Sequence, residues 1–138
     1  MGELSRIGVA IDSDLLKKFD ALISGRGYTN RSEAFRDLIR EKLVEETWEM
    51  PDRKVVGTVS LVYDHHVRML DEKLTDVQHE YYRNVLSTLH VHLDHDHCLE
   101  VLIVRGKASE VKEIADKLIS TKGVKHGRLT IATLGAGL

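Results

Sequence analysis

Cysteine, proline and long apolar runs are all scarce in this chain. Of its 138 residues, one is cysteine and one is proline. A lone thiol forbids an intrachain disulfide and fits a reducing compartment, so the cytoplasm is the expected location. No apolar stretch approaches the roughly 20 residues that a membrane-crossing helix needs, and no membrane partner is expected. The N-terminus lacks the basic-then-apolar pattern of a secretory signal. Net charge is missing too: 20 Lys and Arg stand against 22 Asp and Glu, leaving −2. Bulk charge therefore gives no support to a nucleic-acid partner, and any such surface must gather its basic groups on one face. Histidine is absent from the first 64 residues, whereas all eight histidines follow, five of them between His79 and His97.

What is present describes a folded, water-facing protein, with 42% hydrophobic and 30% charged residues. Residues 6–11 alternate, with Ile7, Val9 and Ile11 on one side and Arg6, Gly8 and Ala10 on the other. That is a short half-buried strand. Asp12 or Ser13 can cap a helix bearing Leu15, Leu16, Phe19, Leu22 and Ile23 on one face, stopped by Gly25 and Gly27. Asn30 with Glu33 resembles a capping box opening a second helix. A strand and two helices in about 40 residues bury too little apolar surface to fold alone, and the strand lacks a partner. Pairing the strands of two copies into an antiparallel ribbon removes both problems, so this unit is expected to be an obligate dimer.

The pattern lapses from Thr47 to Lys54 around Pro51, which suggests domains over 1–48 and 55–138 with a linker over 49–54. Val55–Tyr63 reads as a strand, and Val67, Leu70, Leu74 and Val77 as one face of a helix. Val85–Leu93 and Cys98–Val104 read as strands joined by the polar turn Asp94–His97. Val111, Ile114, Ala115, Leu118 and Ile119 mark a helix ended by Gly123, and Val124–Leu134 a last strand. The order is βαββαβ, a ferredoxin-like split arrangement, so the expected class is α+β.

Residues two apart on a strand share a face, so His90 and His92 project side by side. The turn returns Cys98 toward His92, and His79 lies in the short connection entering this strand. A single strand histidine is ordinarily a surface or packed residue; two at this spacing with a nearby cysteine point to a metal. The donors suit tetrahedral Zn²⁺ or planar Ni²⁺ or Cu²⁺, and spacing does not choose. Four protein donors leave no open position for substrate, and no nucleophile–base pair stands out, so no enzyme is expected. Glu100 and Gln78 are candidates to hydrogen-bond the ligands from behind, or are plain surface. His95 and His97 read as solvated turn residues or weak accessory ligands, and His65, His66 and His126 as surface.

A two-stranded ribbon fits the DNA major groove. Its outward face would be Arg6, Gly8 and Ala10: Arg6 can donate twice to guanine, Ala10 can touch a thymine methyl, and Gly8 permits close approach. The helix start Asn30-Arg31-Ser32 could hold a phosphate. The plainer alternative is a dimerisation unit with an exposed ribbon.

The run Arg-Ile-x-Val-x-Ile-Asp-x-Asp-Leu-Leu, then Gly-Tyr-x-Asn-Arg-Ser-Glu-Ala-x-Arg-Asp, resembles a ribbon-helix-helix DNA-binding domain. Leu89-His90-Val91-His92-Leu93, with Asp94 and Cys98-Leu99-Glu100, is similar to the nickel-responsive transcriptional regulator family (NikR). The likeness runs over nearly the whole chain. It implies an ACT-type C-terminal domain, a homotetramer built as a dimer of dimers, and one square-planar Ni²⁺ per subunit. By that likeness His90, His92 and Cys98 of one chain and His79 of another are ligands. Glu33 and Asp37 would help form a further cation site, often for K⁺, between the domains in the DNA-bound form. It also implies a repressor that binds double-stranded operator DNA when metal-loaded and controls nickel uptake. Other readings are a metal-binding or storage protein, or a ribbon-helix-helix repressor sensing another metal or a small molecule. Where the family commonly carries hydroxyl residues on the ribbon, this chain has Gly8 and Ala10, which removes two hydrogen-bonding groups per strand.

Overall fold

The computed structural model describes residues 2–138. Two compact units divide between Glu41 and Lys42. In the first, residues 2–12 carry no regular secondary structure and are exposed. The alternation expected to make a strand survives as bare apolar side chains: Ile7 is 82% exposed and Val9 60%. A strand needs a partner for its N–H and C=O groups, and the single chain offers none here.

Helix α1 spans Ser13–Gly25, and Asp12 is its cap, accepting from the N–H groups of Asp14 and Leu15. Its end is a Schellman turn: Tyr28 N–H bonds Ile23 O, Gly27 N–H bonds Ser24 O, and Gly27 takes φ 87°. Asn30 Oδ1 accepts from Glu33 N–H at 2.9 Å, opening α2, Arg31–Glu49. The two helices meet through Phe19 and Phe35, ring centroids 5.1 Å apart. Ile23 and Ala34 are the buried apolar residues of this unit, whereas Leu15, Leu22, Leu38 and Ile39 stay exposed. So small a core fits the expectation that the unit needs a second copy.

The second unit begins inside α2. The helix runs on to Glu49, two residues past Thr47, and near its end Trp48 is buried and donates from Nε1 to Ala132 O at 2.9 Å. The stretch expected to be a linker is held at several points. Pro51 O accepts from Ser109 N–H and Oγ, and Arg53 O accepts from Ala108 N–H. There follow β1 (Lys54–Asp64), α3 (Leu70–Glu80), β2 (Val85–His92), β3 (His97–Lys107), α4 (Ala108–Ile119) and β4 (Val124–Ile131). Val67 lies before α3 rather than in it, in a turn whose last residue, Met69, has φ 63°.

The four strands form one sheet in the order β2-β3-β1-β4, every neighbouring pair antiparallel. Period-two alternation puts Val55, Val59, Leu61 and Tyr63 of β1 on the same face as Cys98, Leu102 and Val104 of β3. The apolar faces of α3 (Leu70, Leu74) and α4 (Val111, Ile114, Leu118) complete that core. A Cβ at Gly127 would stand 2.7 Å from Ile119 Cγ1, so this glycine lets α4 lie close on β4. The opposite sheet face is uncovered. Among the described residues no helix is long and apolar enough to cross a membrane.

Candidate metal centre

The β2–β3 register sets His92 opposite Cys98 and His90 opposite Glu100. Since Cys98 and Glu100 face the helices, His90 and His92 do as well. On the other flank of β3, Tyr63 of β1 pairs with Cys98. The chain leaving β1 turns over the open end of this ladder, where His65 N–H donates to Asp96 O at 3.0 Å.

Three donors meet there. Cys98 Sγ lies 3.4 Å from His92 Nδ1 and 3.5 Å from His65 Nδ1. One donor atom from each of His65, His92 and Cys98 lies within 4.8 Å of the others. The His65 ring stands edge-on to His92, with centroids 5.5 Å apart. His90 flanks His92 at 5.4 Å between centroids and stands edge-on to Tyr63 at 6.1 Å. Of the residues expected to share a metal, His92 and Cys98 are thus in contact and His90 is alongside. His79 is exposed in the last turn of α3, outside this donor group.

His65 was expected at the surface and is instead half-buried against the thiol. A signal for it exists in the sequence: it directly follows the strand that a ferredoxin-like order sets beside the cysteine's strand. Using that signal requires the β1–β3 register, which local patterning does not supply.

Burial pushes the Cys98 thiol above its ordinary range, and the carboxylates of Asp71, Glu100, Asp64 and Asp94 push it the same way. The same negative field favours a cation at the sulfur. Asp94 is held down at about 2, first by the backbone N–H groups of His97 and Asp96 and then by the His97 ring. His97 itself is engaged elsewhere, with Nδ1 3.0 Å from Asp94 Oδ1 and Nε2 3.0 Å from Lys125 Nζ.

Behind the donors runs a closed polar chain. Glu100, 6% exposed, accepts from Tyr63 Oη at 3.3 Å and from Gln78 Nε2 at 3.0 Å. Gln78 Oε1 in turn accepts from Thr88 Oγ1 at 3.0 Å. The chain ties α3, beside His79, to both β2 and β3. A thiol with several imidazoles is a donor set for borderline-soft divalent ions such as Ni²⁺, Cu²⁺ or Zn²⁺, and unsuited to Mg²⁺ or Ca²⁺.

In the N-terminal unit Arg6, Gly8, Ala10 and Ser32 are exposed. Asn30 spends its side-chain oxygen on the α2 cap. Arg31 forms a two-bond side-chain pair with Asp20 at 2.8 and 2.9 Å, which leaves the backbone N–H groups of this helix start as the groups expected to meet a phosphate. Glu33 is exposed in the first turn of α2. The Asp37 carboxylate is occupied on both oxygens, by Tyr28 Oη at 2.6 Å and Arg40 Nη1 at 3.5 Å.

Two family models match the chain in sequence. Residues 56–132 match the NikR C-terminal nickel-binding domain, and residues 5–46 match the ribbon-helix-helix protein, copG family. A Solibacter usitatus protein named as a nickel-responsive regulator is 74% identical over 136 residues, covering 99% of this chain and 98% of its own length. One from Geobacter sulfurreducens, similarly named, is 62% identical over 138 residues, covering 100% of this chain and 99% of its own.

Proposed function

Because the chain belongs to the nickel-responsive regulator family, with its ribbon-helix-helix and nickel-binding segments in order, we propose that it is a nickel-responsive transcription regulator that represses when metal-loaded. It is not an enzyme. The observation that carries the metal half is the contact of His92 with Cys98 across a register that aligns His90 beside them. His90, His92 and Cys98 would hold the ion from one chain and His79 from another. One Ni²⁺ per subunit, cytoplasmic location and control of nickel uptake are parts of the same proposal.

A bound Ni²⁺ would supply a fixed positive charge, and Cys98 and the histidines could ligate it only as a thiolate and neutral imidazoles. The chain's own residues do the rest. Glu100 fixes Gln78, and Gln78 fixes the turn of α3 from which His79 projects. Engagement of His79 by another chain then acts on a helix already tied to the cysteine strand. Such engagement regulates DNA binding only as far as the DNA-competent arrangement binds metal better than the alternative.

Self-association is supported by two uncovered apolar surfaces. On the open sheet face Leu89, Val91 and Ile103 are 63%, 41% and 38% exposed, with Leu99 and Val101 between them. In the first unit Ile7, Val9, Leu15 and Leu22 are exposed. Contiguous apolar area of this kind marks an interface, and a homotetramer made as a dimer of dimers uses both. The ribbon would present Arg6, Gly8 and Ala10 to operator DNA, with Asn30, Arg31 and Ser32 near the phosphates. A K⁺ site at Glu33 and Asp37 would have to displace Arg40.

The test is a gel shift on the promoter beside the protein's own coding sequence, with and without Ni²⁺, Cu²⁺, Co²⁺ and Zn²⁺. Nickel is expected to tighten binding, and Arg6→Ala to abolish specific binding while metal affinity stays. No metal effect would end the sensor reading. Metal binding with no DNA binding at all would favour a storage protein.

A further inference from the structure

The last turn of α3, which carries His79, has no fully buried apolar side chain. Leu70 and Leu74, the buried residues of this helix, both lie in its first half. Val77 packs against the core but is only partly buried. At the other end Met69, the N-cap, makes no side-chain capping bond. An 11-residue helix of this kind is marginal by itself, so its end stays in place only as far as tertiary contacts hold it. Those contacts stand on both sides of His79. On one side Gln78 is bound to Glu100. On the other, Glu80 Oε1 meets Lys117 Nζ at 3.3 Å, and the same ammonium stands 5.0 Å from the centre of the Tyr81 ring. Tyr81 Oη also donates to Glu113 Oε1 at 3.4 Å. We propose that Tyr81 and Lys117 are positioning residues for the nickel site, clamping the end of α3 to α4 so that His79 is presented to another chain. This rests on the reading of His79 as a ligand given above.

Lys117 serves two partners at once. A lone exposed ion pair contributes little, because two long side chains lose freedom to form it. Here the ammonium also sits within the roughly 6 Å over which a ring face attracts a cation. The ring is a fixed platform, since Tyr81 is half-buried and packed against the core. Tyr81 O accepts from the N–H groups of Asn84 at 2.8 Å and Val85 at 3.1 Å, so the same residue starts the turn into β2, the strand of His90 and His92. Without the clamp the last turn of α3 is free to fray, whereas β2 keeps its ladder with β3. The loss therefore falls on His79, which is exposed, and not on the ligands of the hairpin. A ligand correctly placed for only a fraction of the time weakens the apparent affinity by that fraction.

Chelator competition for Ni²⁺ on the full chain, with and without His79→Ala, tests this. Lys117→Ala and Tyr81→Leu should each weaken nickel binding by about three- to tenfold. Lys117→Arg, which keeps the cation over the ring, should recover most of that loss. In a His79→Ala background neither change should weaken binding further, because both act through that imidazole. Hydrogen exchange of the metal-free protein should be faster over residues 77–81 in Lys117→Ala and unchanged in β2 and β3. Saturating nickel should restore the parental thiolate-to-nickel band in Lys117→Ala, since the ligands are intact. The proposal is overturned if Lys117→Ala and Tyr81→Leu keep parental affinity while His79→Ala loses it. Equal weakening with and without His79 would show a general loss of stability and would overturn it too, as would an Lys117→Arg protein no better than Lys117→Ala. Parental affinity in His79→Ala would instead sink the ligand reading, and the proposal with it.

Discussion

Gln78 Nε2 donates to Glu100 Oε1 across 3.0 Å, linking the last turn of α3 to the strand that carries Cys98. Glu100 is nearly buried, and its other oxygen accepts from Tyr63. Removing the carboxylate leaves the buried Tyr63 Oη and the half-buried Gln78 Nε2 without that partner. Glu100→Ala should therefore destabilise the metal-free protein by about 1–3 kcal/mol and weaken nickel binding by roughly 10–100-fold. Glu100→Gln should lose less of both. Chelator competition and urea unfolding measure the two effects. A Glu100→Ala protein that keeps parental nickel affinity would remove Glu100 from any role in placing the ligands.

Nickel binding should strengthen as pH rises. Burial and neighbouring carboxylates hold the Cys98 thiol protonated above its ordinary range. A metal must displace that proton, so below the thiol's pKa each pH unit costs the apparent affinity about tenfold. Cys98→Ala should bind far more weakly and with a shallower pH slope. Competition titrations at several pH values check this, and equal slopes for parent and variant would count against thiolate ligation.

The two histidines flanking the site are expected to behave differently. His65→Ala should keep the thiolate-to-nickel band, because the proposed ligand set takes its fourth donor from His79 of another chain. His79→Ala should shift or abolish the band and weaken nickel binding. If His65→Ala is the one that loses it, the three-donor group seen within one chain is the true nickel site.

Trp48 anchors the end of α2 in the C-terminal core at 2% exposure. Trp48→Ala should cost about 3–5 kcal/mol by cavity formation. Trp48→Phe keeps most of the volume and forfeits the bond to Ala132 O, costing about 1 kcal/mol. Denaturant midpoints separate the two substitutions. A neutral Trp48→Ala would mean that the second unit does not depend on α2.

Asp94 fixes the β2–β3 turn by accepting from the N–H groups of Asp96 and His97. Its carboxyl is held down at about 2 against an ordinary 3.8. A depressed carboxyl contributes stability above its unfolded pKa and loses it as pH falls through the folded value. Asp94→Asn should lower Tm at neutral pH, with the gap to the parent closing between about pH 4 and 2. A gap that persists at pH 2 would assign the effect to geometry rather than charge.

Much of this molecule was legible in the chain. Asp12, Gly27 and Asn30 mark helix ends by local hydrogen bonding, so their roles need no distant partner. Alternation fixed the faces of β1, β2 and β3, and with them the meeting of His92 and Cys98 across one short turn. The family likeness rested on the same residues. Less visible was anything set by contacts far apart in sequence. Near the end of α2, Trp48 finds a core 84 residues away. Nor does local pattern show that Arg31 pairs with Asp20 on the other helix.

The sequence by itself determined a hairpin that gathers His90, His92 and Cys98 on one face, because two-residue periodicity and a short turn leave no other arrangement. Only the tertiary structure decided that His65 joins them, that His66 leaves to meet His95 and Asp96, and that Glu100 is buried under Gln78 and Tyr63. The contacts made from β1 and the chain leaving it depend on the β1–β3 register, where a slip of one residue would turn the β1 side chains, Tyr63 among them, to the opposite face.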